Sequence, residues 1–236
     1  MSEKLRFLCF NIHGARDLGG ERDLKRLNDV MNHYQIDIGV FQEMETRASR
    51  KGTPDDVSIL AGPERPYHLA GPSLKDETGW YGNLIVSRYP IIRGLVHNLE
   101  TTIQYEPRCA VDALIDGPFG RLRLIGTHLS LARWQRFAEV RNLLKLMDKV
   151  EETEKNPLFL MGDLNEWRES SKLIKHLNQI MTPLKCRPSF PSIFPILRLD
   201  RAWHDTANLA VTAATLSKNG INRLSDHLPI MVEVKY

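Results

Sequence analysis

The sequence contains little cysteine. Cys9, Cys109 and Cys186 are the only three among 236 residues, and no two of them form a Cys-x-x-Cys pair. The odd count and the wide spacing argue against a disulfide framework and against a cysteine-ligated zinc site. We therefore expect three reduced and mostly buried thiols in a cytoplasmic protein.

Long hydrophobic runs are also absent. No segment approaches the ~18 consecutive apolar residues of a membrane-spanning helix, so we expect no stable membrane insertion. Residues 1–4 lead directly into a strand-like run, which indicates that there is no signal peptide. The P-loop, Gly-x-Gly-x-x-Gly and Gly-x-Ser-x-Gly patterns are missing as well, so nothing supports a nucleotide-cofactor cradle or a serine nucleophile elbow.

The remaining composition is that of an ordinary globular protein. With 42% hydrophobic and 26% charged residues, a chain of 236 residues can bury a large core and still form one domain. We therefore predict a single domain over residues 1–236, and a monomer. The formal net charge of +3 is compatible with a polyanionic partner but does not identify one.

Short apolar runs bounded by turn residues predict eight strands. They are residues 5–11, 36–41, 83–87, 109–115, 121–128, 158–161, 200–204 and 230–234. Many strands with a few interspersed helices predict two packed sheets with helices on the outside.

Two apolar stripes at helical spacing predict helices. The first consists of Leu24, Leu27, Val30, Met31 and Tyr34, after a possible N-cap at Asp23. The second consists of Trp134, Phe137, Val140, Leu144 and Met147, after Ser130. We interpret both stripes as core-facing surfaces. A third helix is predicted from residue 170 to residue 177.

Five polar segments each follow an apolar run, and they are spread from position 11 to position 227. They contain Asn11, Glu43, His128, the pair Asp163 and Asn165, and the pair Asp226 and His227. Each has an ordinary structural explanation: a solvated loop acid, an Asx turn or a hydrogen-bonded structural histidine. Together, carboxylates, amides and imidazoles at strand ends predict a metal-assisted acid–base site.

The residue types suggest how such a site would work. A carboxylate at the end of a buried strand, such as Glu43, is costly unless it is paired or metal-bound. Asn11 could add a neutral oxygen, and Mg²⁺ prefers a few protein oxygens together with water and phosphate oxygens. Asp163 and Asn165 are two positions apart, so in extended backbone they point to one face. A carboxylate and an amide arranged in this way could activate a water molecule and position the substrate beside it.

The two histidines could stabilise charge on a phosphate or protonate a leaving group. A histidine in this role needs a carboxylate that orients it. We predict Asp200 as the partner of His227 and Glu77 as the partner of His128.

These segments closely resemble the endonuclease/exonuclease/phosphatase family of DNase-I-like, metal-dependent phosphoesterases, and most of all its compact bacterial metal-dependent hydrolase branch. The resemblance covers nearly the whole chain. The matching segments are Cys9-Phe10-Asn11-Ile12-His13-Gly14, Gln42-Glu43, Gly82-Asn83-Leu84-Ile85-Val86-Ser87-Arg88-Tyr89-Pro90, Gly126-Thr127-His128-Leu129, Gly162-Asp163-Leu164-Asn165-Glu166-Trp167, Leu199-Asp200-Arg201 and Ser225-Asp226-His227-Leu228-Pro229.

The resemblance implies a fold and a metal. The fold would be α/β, a four-layer α/β/β/α sandwich of two mainly antiparallel sheets with the site at the mouth between them. Glu43 would be the main ligand of Mg²⁺ or Mn²⁺, helped by Asn11 and Asp226.

The resemblance also implies catalytic roles. Asp163 would orient or deprotonate the attacking water, and Asn165 and His128 would hold the scissile phosphate. His227, paired with Asp200, would stabilise the developing negative charge.

Differences between this sequence and several known branches of the family argue against the substrates of those branches. Abasic-site endonucleases usually carry an aromatic residue at the position of Leu197 and usually lack the Gly-Thr-His-Leu segment. Of the Pro-x-Trp-Cys-Asp-Arg element of inositol-polyphosphate phosphatases, only Asp200 and Arg201 are present. The export signals and membrane-inserting additions of secreted sphingomyelinases are not found, nor is a disulfide pattern like that of secreted DNase I relatives.

Residues near the expected mouth suggest a nucleic-acid substrate. Arg47, Arg198 and Arg201 could follow a phosphate backbone, and Phe190 and Phe194 could stack on bases. The alternatives are a solvated charged surface and a proline-stiffened loop that packs its own aromatic rings.

Three functions are therefore considered. The first is a metal-dependent nuclease that hydrolyses phosphodiester bonds in DNA, and in RNA as well. The second is a phosphatase or phosphodiesterase for a small-molecule or lipid-derived phosphate ester. The third is a catalytically silent binding module on the same fold.

Overall fold

The computed structural model describes residues 4–99, 106–151, 156–206 and 209–235. Within these residues the chain forms twelve strands, four α-helices and three short 3₁₀ turns. The strands are β1 (Lys4–Asn11), β2 (Ile38–Glu45), β3 (Tyr67–Asp76), β4 (Gly79–Ser87), β5 (Ile91–Asn98), β6 (Cys109–Gly117), β7 (Gly120–His128), β8 (Leu158–Asp163), β9 (Thr182–Pro183), β10 (Asp200–Asp205), β11 (Ala210–Thr215) and β12 (Ile230–Lys235). The helices are α1 (Leu24–His33), α2 (Asp56–Ala61), α3 (Arg133–Glu151) and α4 (Lys172–Ile180), and the 3₁₀ turns are His13–Ala15, Ala48–Arg50 and Ile221–Arg223.

The strands form two six-stranded sheets, with the orders β11-β12-β1-β2-β4-β3 and β5-β6-β7-β8-β10-β9. Each sheet contains one parallel pair, β1 with β2 and β7 with β8, and its other pairs are antiparallel. The prediction of two mainly antiparallel sheets is confirmed. In each parallel pair both strands end at the same edge of the sheet.

The strand alternation separates three apolar layers. Along β1, Phe7 faces the opposite sheet and its ring centroid lies 4.9 Å from that of Phe159. Its neighbour Leu8 points the other way, into a cluster with Leu27 and Met31 of α1. A third cluster packs α3 and α4 against the outer face of the second sheet. The four-layer α/β/β/α sandwich is therefore confirmed.

All eight predicted strands are present, with boundaries that shift by a few residues. The four that were not predicted, β3, β5, β9 and β11, are the outermost strands of the two sheets. Edge strands are covered on fewer sides, and no side chain of β5 or β11 is buried. Their sequences consequently lack the continuous apolar runs by which the inner strands were recognised.

The first predicted helix is confirmed as α1. The Asp23 side chain accepts a hydrogen bond of 2.9 Å from the Arg26 N–H, which is the expected N-cap interaction. Leu24, Leu27 and Met31 are buried. The third predicted helix corresponds to α4, which Ser171 caps. The short helix α2 was not predicted.

The core-facing interpretation of the second stripe is wrong for its first two members. Val140 and Met147 of α3 are buried, but Trp134 and Phe137 are 53% and 51% exposed. The first turns of α3 bury polar side chains instead, including Glu139. Its carboxylate accepts hydrogen bonds of 2.9 Å and 2.5 Å from the N–H and hydroxyl groups of Ser130. Glu139 therefore lies on the buried side of these turns, and Trp134 and Phe137 lie on the exposed side.

The three cysteines are buried, as predicted, and none is paired with another. Among the helices that the structure describes, none combines the length and the apolar character of a membrane-spanning segment.

Candidate active site

Strand register brings three of the predicted catalytic residues into one row. In the parallel pair β7–β8, His128 lies opposite Asp163. In the antiparallel pair β8–β10, Asp163 lies opposite Asp200. Residues 35 positions or more apart in sequence thus become neighbours across adjacent strands. The other sheet contributes Asn11, at the end of β1.

Glu43 lies at an irregularity in β2. The register with β4 shifts between Phe41 and Met44, and Glu43 has a φ of 58°. This is the left-handed region, which residues other than glycine rarely adopt. A bulge of this kind can redirect a side chain, and here the Glu43 carboxylate lines the central cavity.

The Asp163 carboxylate is the centre of the site and is buried. It accepts hydrogen bonds of 2.9 Å from the Asn165 N–H and 3.0 Å from the Asn11 Nδ2 group. The Nε2 atoms of His128 and His227 lie 3.5 Å and 3.7 Å from its Oδ2 atom. Burial and the charge of Asp200 raise the Asp163 pKa. Four of the predicted site residues therefore converge on one carboxylate.

His227 is paired with Asp200, as predicted. Its Nδ1 atom donates a hydrogen bond of 2.8 Å to the Asp200 Oδ2 atom. Burial alone would lower the pKa of His227, but the charge and hydrogen bond of Asp200 and the charge of Asp163 outweigh it and raise the pKa to about 10. His227 is therefore a buried cation at neutral pH.

This ion pair predicts a pH-dependent stability in metal-free buffer. The His227 pKa is about 6.5 in an unfolded chain and about 10 in the fold. Its contribution is therefore complete below about pH 6.5 and is lost as the pH rises through about 10. We expect Asp200→Asn to lower the Tm at neutral pH and to flatten its decline toward alkaline pH, measured by thermal unfolding in EDTA. Asp205→Asn, at the exposed end of the same strand, is the control, and parallel curves for wild type and Asp200→Asn would contradict this role.

His128 has a different environment from His227. Burial is the largest of the effects on it and lowers its pKa to about 4, so its imidazole is neutral. The Arg108 Nη1 group lies 3.2 Å from Nδ1 and donates to it, which assigns the proton to Nε2. Glu77 does not orient this histidine, because it is exposed and lies in the turn between β3 and β4. The predicted pairing of Glu77 with His128 is therefore wrong.

Asn165 and Asn11 have polar contacts that fix their orientation. The Asn165 Nδ2 group donates to the Leu129 carbonyl oxygen at 2.8 Å. The Asn11 Nδ2 group donates to the carboxylates of Glu43 and Asp163, at 2.9 Å and 3.0 Å. In this orientation Asn11 connects the two carboxylates.

Two carboxylates converge on a common space at the mouth of the site. The His13 Nδ1 atom lies 3.7 Å from a Glu43 oxygen and 3.7 Å from an Asp226 oxygen. The neighbouring Glu43 carboxylate and the charge of Asp226 raise the His13 pKa against the effect of burial. Burial raises the pKa of the Glu43 carboxyl, but the neighbouring His13 and His128 imidazoles and the hydrogen bond from Asn11 outweigh it and lower that pKa to about 2. This space therefore attracts positive charge.

The donor set in this space fits Mg²⁺ or Mn²⁺. Both ions favour oxygen ligands, and Glu43 and Asp226 supply carboxylate oxygens that line the cavity. A second cluster, Asp163, Asp200 and His227, is fully buried and also brings possible ligand atoms within 4.8 Å of one another. There, however, the His227 Nδ1–H is engaged by Asp200. We therefore favour the Glu43 side as the metal site.

The site residues surround a cavity of about 460 Å³. Its lining contains predicted residues and several others. The predicted ones are Glu43, His128, Asp163, Asn165, Phe190, Asp226 and His227, and the others are His13, Tyr81, Glu106, Arg108, Leu131, Trp167, Leu197 and Leu199.

Most of the predicted substrate-contacting residues lie elsewhere. Phe190 lines the cavity, with its ring 4.9 Å from that of His227. Phe194 is 72% exposed and is outside the lining. Arg47 pairs with Glu45 at 2.7 Å. Arg198 and Arg201 pair with Glu169 at 2.8 Å and 3.0 Å. The three arginines are not among the residues that line the cavity, although the Arg47 guanidinium lies 5.6 Å from the ring centroid of Tyr81, which is one of the lining residues.

Sequence reasoning missed Arg108, Tyr81 and His13. Arg108 is buried and pairs with Glu106 at 2.8 Å. Burial and the charge of Glu43 raise the pKa of the Tyr81 hydroxyl, which stays protonated and can donate a hydrogen bond. His13 is within the Asn11 segment and could have been noticed there. Arg108 immediately precedes a predicted strand, which was its only signal in the sequence.

Comparisons with known proteins identify the family of the chain. A sequence model of the Endonuclease/Exonuclease/phosphatase family matches residues 8–227. The chain is 31% identical over 244 aligned positions to "Uncharacterized protein YbhP" of Escherichia coli (strain K12), with 96% of this chain and 94% of that protein covered.

Solved structures share the fold at lower identity. The mannosyl-6-phosphatase Bt3783 of Bacteroides thetaiotaomicron VPI-5482 has a TM-score of 0.80 at 15% identity, covering 98% of this chain and 100% of that one. D. rerio TDP2 in complex with a single-strand DNA product has a TM-score of 0.72 at 17% identity, covering 99% and 100%. The family match over most of the sequence shows that the chain belongs to the endonuclease/exonuclease/phosphatase family, a family of phosphoester hydrolases.

Proposed function

We propose that this protein is a metal-dependent phosphodiesterase that cleaves its substrate by in-line attack of water. The observation that supports this most directly is the set of contacts around Asp163. One buried carboxylate is approached by two amides and two imidazoles, all within 3.7 Å. Such a carboxylate is held in place and lies beside groups that can bind a phosphate.

Asp163 is the proposed proton acceptor. A general base works best when its pKa lies near the working pH, and burial together with the charge of Asp200 raises the Asp163 pKa in that direction. The hydrogen bonds from Asn11 and the Asn165 N–H fix the carboxylate, so that it can orient a water molecule and take its proton.

The histidines are proposed to bind the phosphate in different ways. His227 is cationic and is oriented by Asp200, so its Nε2–H can stabilise negative charge that develops on the phosphate oxygens. His128 is neutral and carries its proton on Nε2, so it can donate a hydrogen bond to the same group. Asn165 and Arg108 line the cavity beside it and can add further donors.

Glu43 and Asp226 would hold Mg²⁺ or Mn²⁺. Asn11, the third predicted ligand, turns its Nδ2 group toward Glu43, and its Oδ1 atom accepts a hydrogen bond of 3.1 Å from the His13 N–H. When bound, the ion would polarise a phosphoryl oxygen and assist departure of the leaving oxygen. The Asn11 side chain also positions Glu43 relative to Asp163, because its Nδ2 group donates to both carboxylates.

DNA is the first proposed substrate, with RNA as a further one. Phe190 and Trp167 in the cavity lining could stack on bases that flank the scissile phosphate. A fold shared with D. rerio TDP2, which was solved with a single-strand DNA product, is consistent with this proposal.

A gel assay tests the nucleic-acid proposal. We expect wild-type protein with Mn²⁺ or Mg²⁺ to cleave single-stranded, double-stranded or abasic DNA, or RNA, and His227→Ala to leave all four intact. The ladder of products separates endonucleolytic from exonucleolytic cleavage. Intact nucleic acids in the presence of folded, metal-binding wild-type protein would contradict the nuclease proposal and leave the second one.

The second proposed substrate is a small-molecule or lipid-derived phosphate ester. It is favoured by the positions of Arg47, Arg198 and Arg201, which pair with glutamates and do not line the cavity. Among the lining residues the permanent cation is Arg108. One guanidinium suits a single phosphate group better than an extended polyanion, whose binding uses several phosphate contacts.

A further inference from the structure

The most exposed large apolar side chains of the described residues lie in two segments that also contain residues of the catalytic cavity lining. Six of them have exposed fractions between 51% and 79%. We refer to these six as the apolar rim: Leu131, Trp134, Phe137, Ile193, Phe194 and Ile196. Isolated exposed apolar residues are common, but a group of this size at the mouth of a site marks an interaction surface.

The rim consists of two segments, and each adjoins the cavity. In the first, Leu131 lines the cavity and is followed along the chain by the exposed Trp134 and Phe137 of α3. In the second, Phe190 and Leu197 line the cavity and form a β-bridge with each other. The loop between Phe190 and Leu197 contains Ile193, Phe194 and Ile196, whose side chains are exposed.

Cations accompany the apolar rim. Arg133 and Lys172 line a groove of about 490 Å³ together with Trp134 and Phe137. Arg168 lies with its guanidinium 4.9 Å from the ring centroid of Trp167. All three cations are exposed, and none forms an ion pair with another described residue. They contrast with Arg47, Arg198 and Arg201, which are paired with glutamates.

We propose that the apolar rim and these three cations dock the mouth of the cavity onto an anionic membrane surface. Tryptophan, phenylalanine and aliphatic side chains enter the boundary between headgroups and acyl chains, while basic residues are attracted to anionic headgroups. This inference rests on the proposed phosphoesterase function and develops its second proposed substrate, a lipid-derived phosphate ester. It specifies that the substrate phosphate belongs to a lipid headgroup, which docking delivers to the catalytic cavity.

The composition of the rim distinguishes a membrane from single-stranded nucleic acid. Stacking on bases requires π-faces, which Leu131, Ile193 and Ile196 lack. A bilayer accepts aliphatic and aromatic side chains alike. The arginines predicted to follow a phosphate backbone are, in addition, engaged with Glu45 and Glu169.

Vesicle co-sedimentation of the full chain tests the proposal. The probes are vesicles of phosphatidylcholine alone and of phosphatidylcholine mixed with phosphatidylglycerol. We expect wild type to bind the mixed vesicles preferentially. The rim variant, Phe137→Ser with Ile193→Ser and Ile196→Ser, is expected to bind more than about tenfold more weakly, because three large apolar side chains no longer enter the bilayer. The matched control, Leu18→Ser with Ile59→Ser and Ile92→Ser, removes three exposed apolar side chains elsewhere and is expected to bind like wild type.

A second variant tests the charges independently of the apolar rim. Arg133→Glu with Lys172→Glu is expected to lose the preference for phosphatidylglycerol and to keep whatever binding wild type shows to phosphatidylcholine alone. These positions are exposed, so the substitutions do not disturb the core.

A soluble substrate separates failure of docking from failure of the proposed function. All variants are expected to hydrolyse bis(p-nitrophenyl) phosphate at the wild-type rate with Mn²⁺, because none of the substituted residues lines the catalytic cavity. Hydrolysis without vesicle binding by wild type would overturn the docking proposal and leave the phosphoesterase intact. Equal vesicle binding by wild type and the rim variant would also overturn it. The docking proposal would also be overturned if wild type bound a single-stranded oligonucleotide but no vesicles, and the rim variant lost this oligonucleotide binding.

Discussion

Replacing Asp163 by asparagine lowers kcat for phosphodiester hydrolysis by about 10²- to 10⁴-fold, the range that general acid–base catalysis contributes. The substitution keeps the shape of the side chain and leaves one oxygen that can accept from Asn11 or from the Asn165 N–H. It removes the basic oxygen that takes the proton from water. We therefore expect the fold to survive while the chemical step is lost.

The matched control for this prediction is Asp116→Asn, at the exposed end of β6. Steady-state kinetics with a soluble phosphodiester and circular dichroism are measured for both variants. An Asp163→Asn protein that is folded and retains the wild-type kcat would show that another group accepts the proton.

Replacing Glu43 by alanine is expected to abolish metal-dependent turnover, and Glu43→Gln to raise the Mn²⁺ concentration required for half-maximal activity. Loss of a hydrogen-bond partner outside the ligand shell already costs about 10- to 100-fold in metal affinity, so loss of a ligand should cost at least as much. The low Glu43 pKa, about 2, keeps this carboxylate ionised throughout the working range. Direct Mn²⁺ binding, followed by calorimetry, provides a readout that is separate from activity.

Glu77→Gln is the control for Glu43→Gln. Glu77 is an exposed glutamate in the turn between β3 and β4 and is not among the residues that line the cavity. Wild-type Mn²⁺ affinity in Glu43→Gln would assign the metal to the buried group of Asp163, Asp200 and His227 instead.

The inner strands could be predicted from the sequence because both faces of each sheet are covered. In β1, Phe7 contacts the opposite sheet and Leu8 contacts α1, so residues 7–10 form a continuous apolar run. Edge strands such as β5 and β11 have no such requirement, and their half-exposed patterns do not differ from those of loops. Residues Trp134 and Phe137 were misjudged for a related reason. Helical spacing shows that they share a face, but not that Glu139 occupies the buried one.

The core of the site could be predicted because its residues end strands that meet at one edge of the sandwich. The register that places His128 and Asp200 on either side of Asp163 is not visible in the sequence, although the pairing of His227 with Asp200 was predicted. Charged loops were harder to interpret. A count of basic residues near the mouth ignores Glu45 and Glu169, which pair with them.

The central claim is that Asp163, with its surrounding amides and imidazoles, directs water onto a phosphoester. Hydrolysis of bis(p-nitrophenyl) phosphate in ¹⁸O-labelled water with Mn²⁺, followed by mass spectrometry of the monoester product, tests it most directly. The account predicts one labelled oxygen in the product of wild type, no product in EDTA, and a large loss of rate in Asp163→Asn. Folded, Mn²⁺-bound wild-type protein that releases no labelled monoester from this or any other phosphodiester would contradict it.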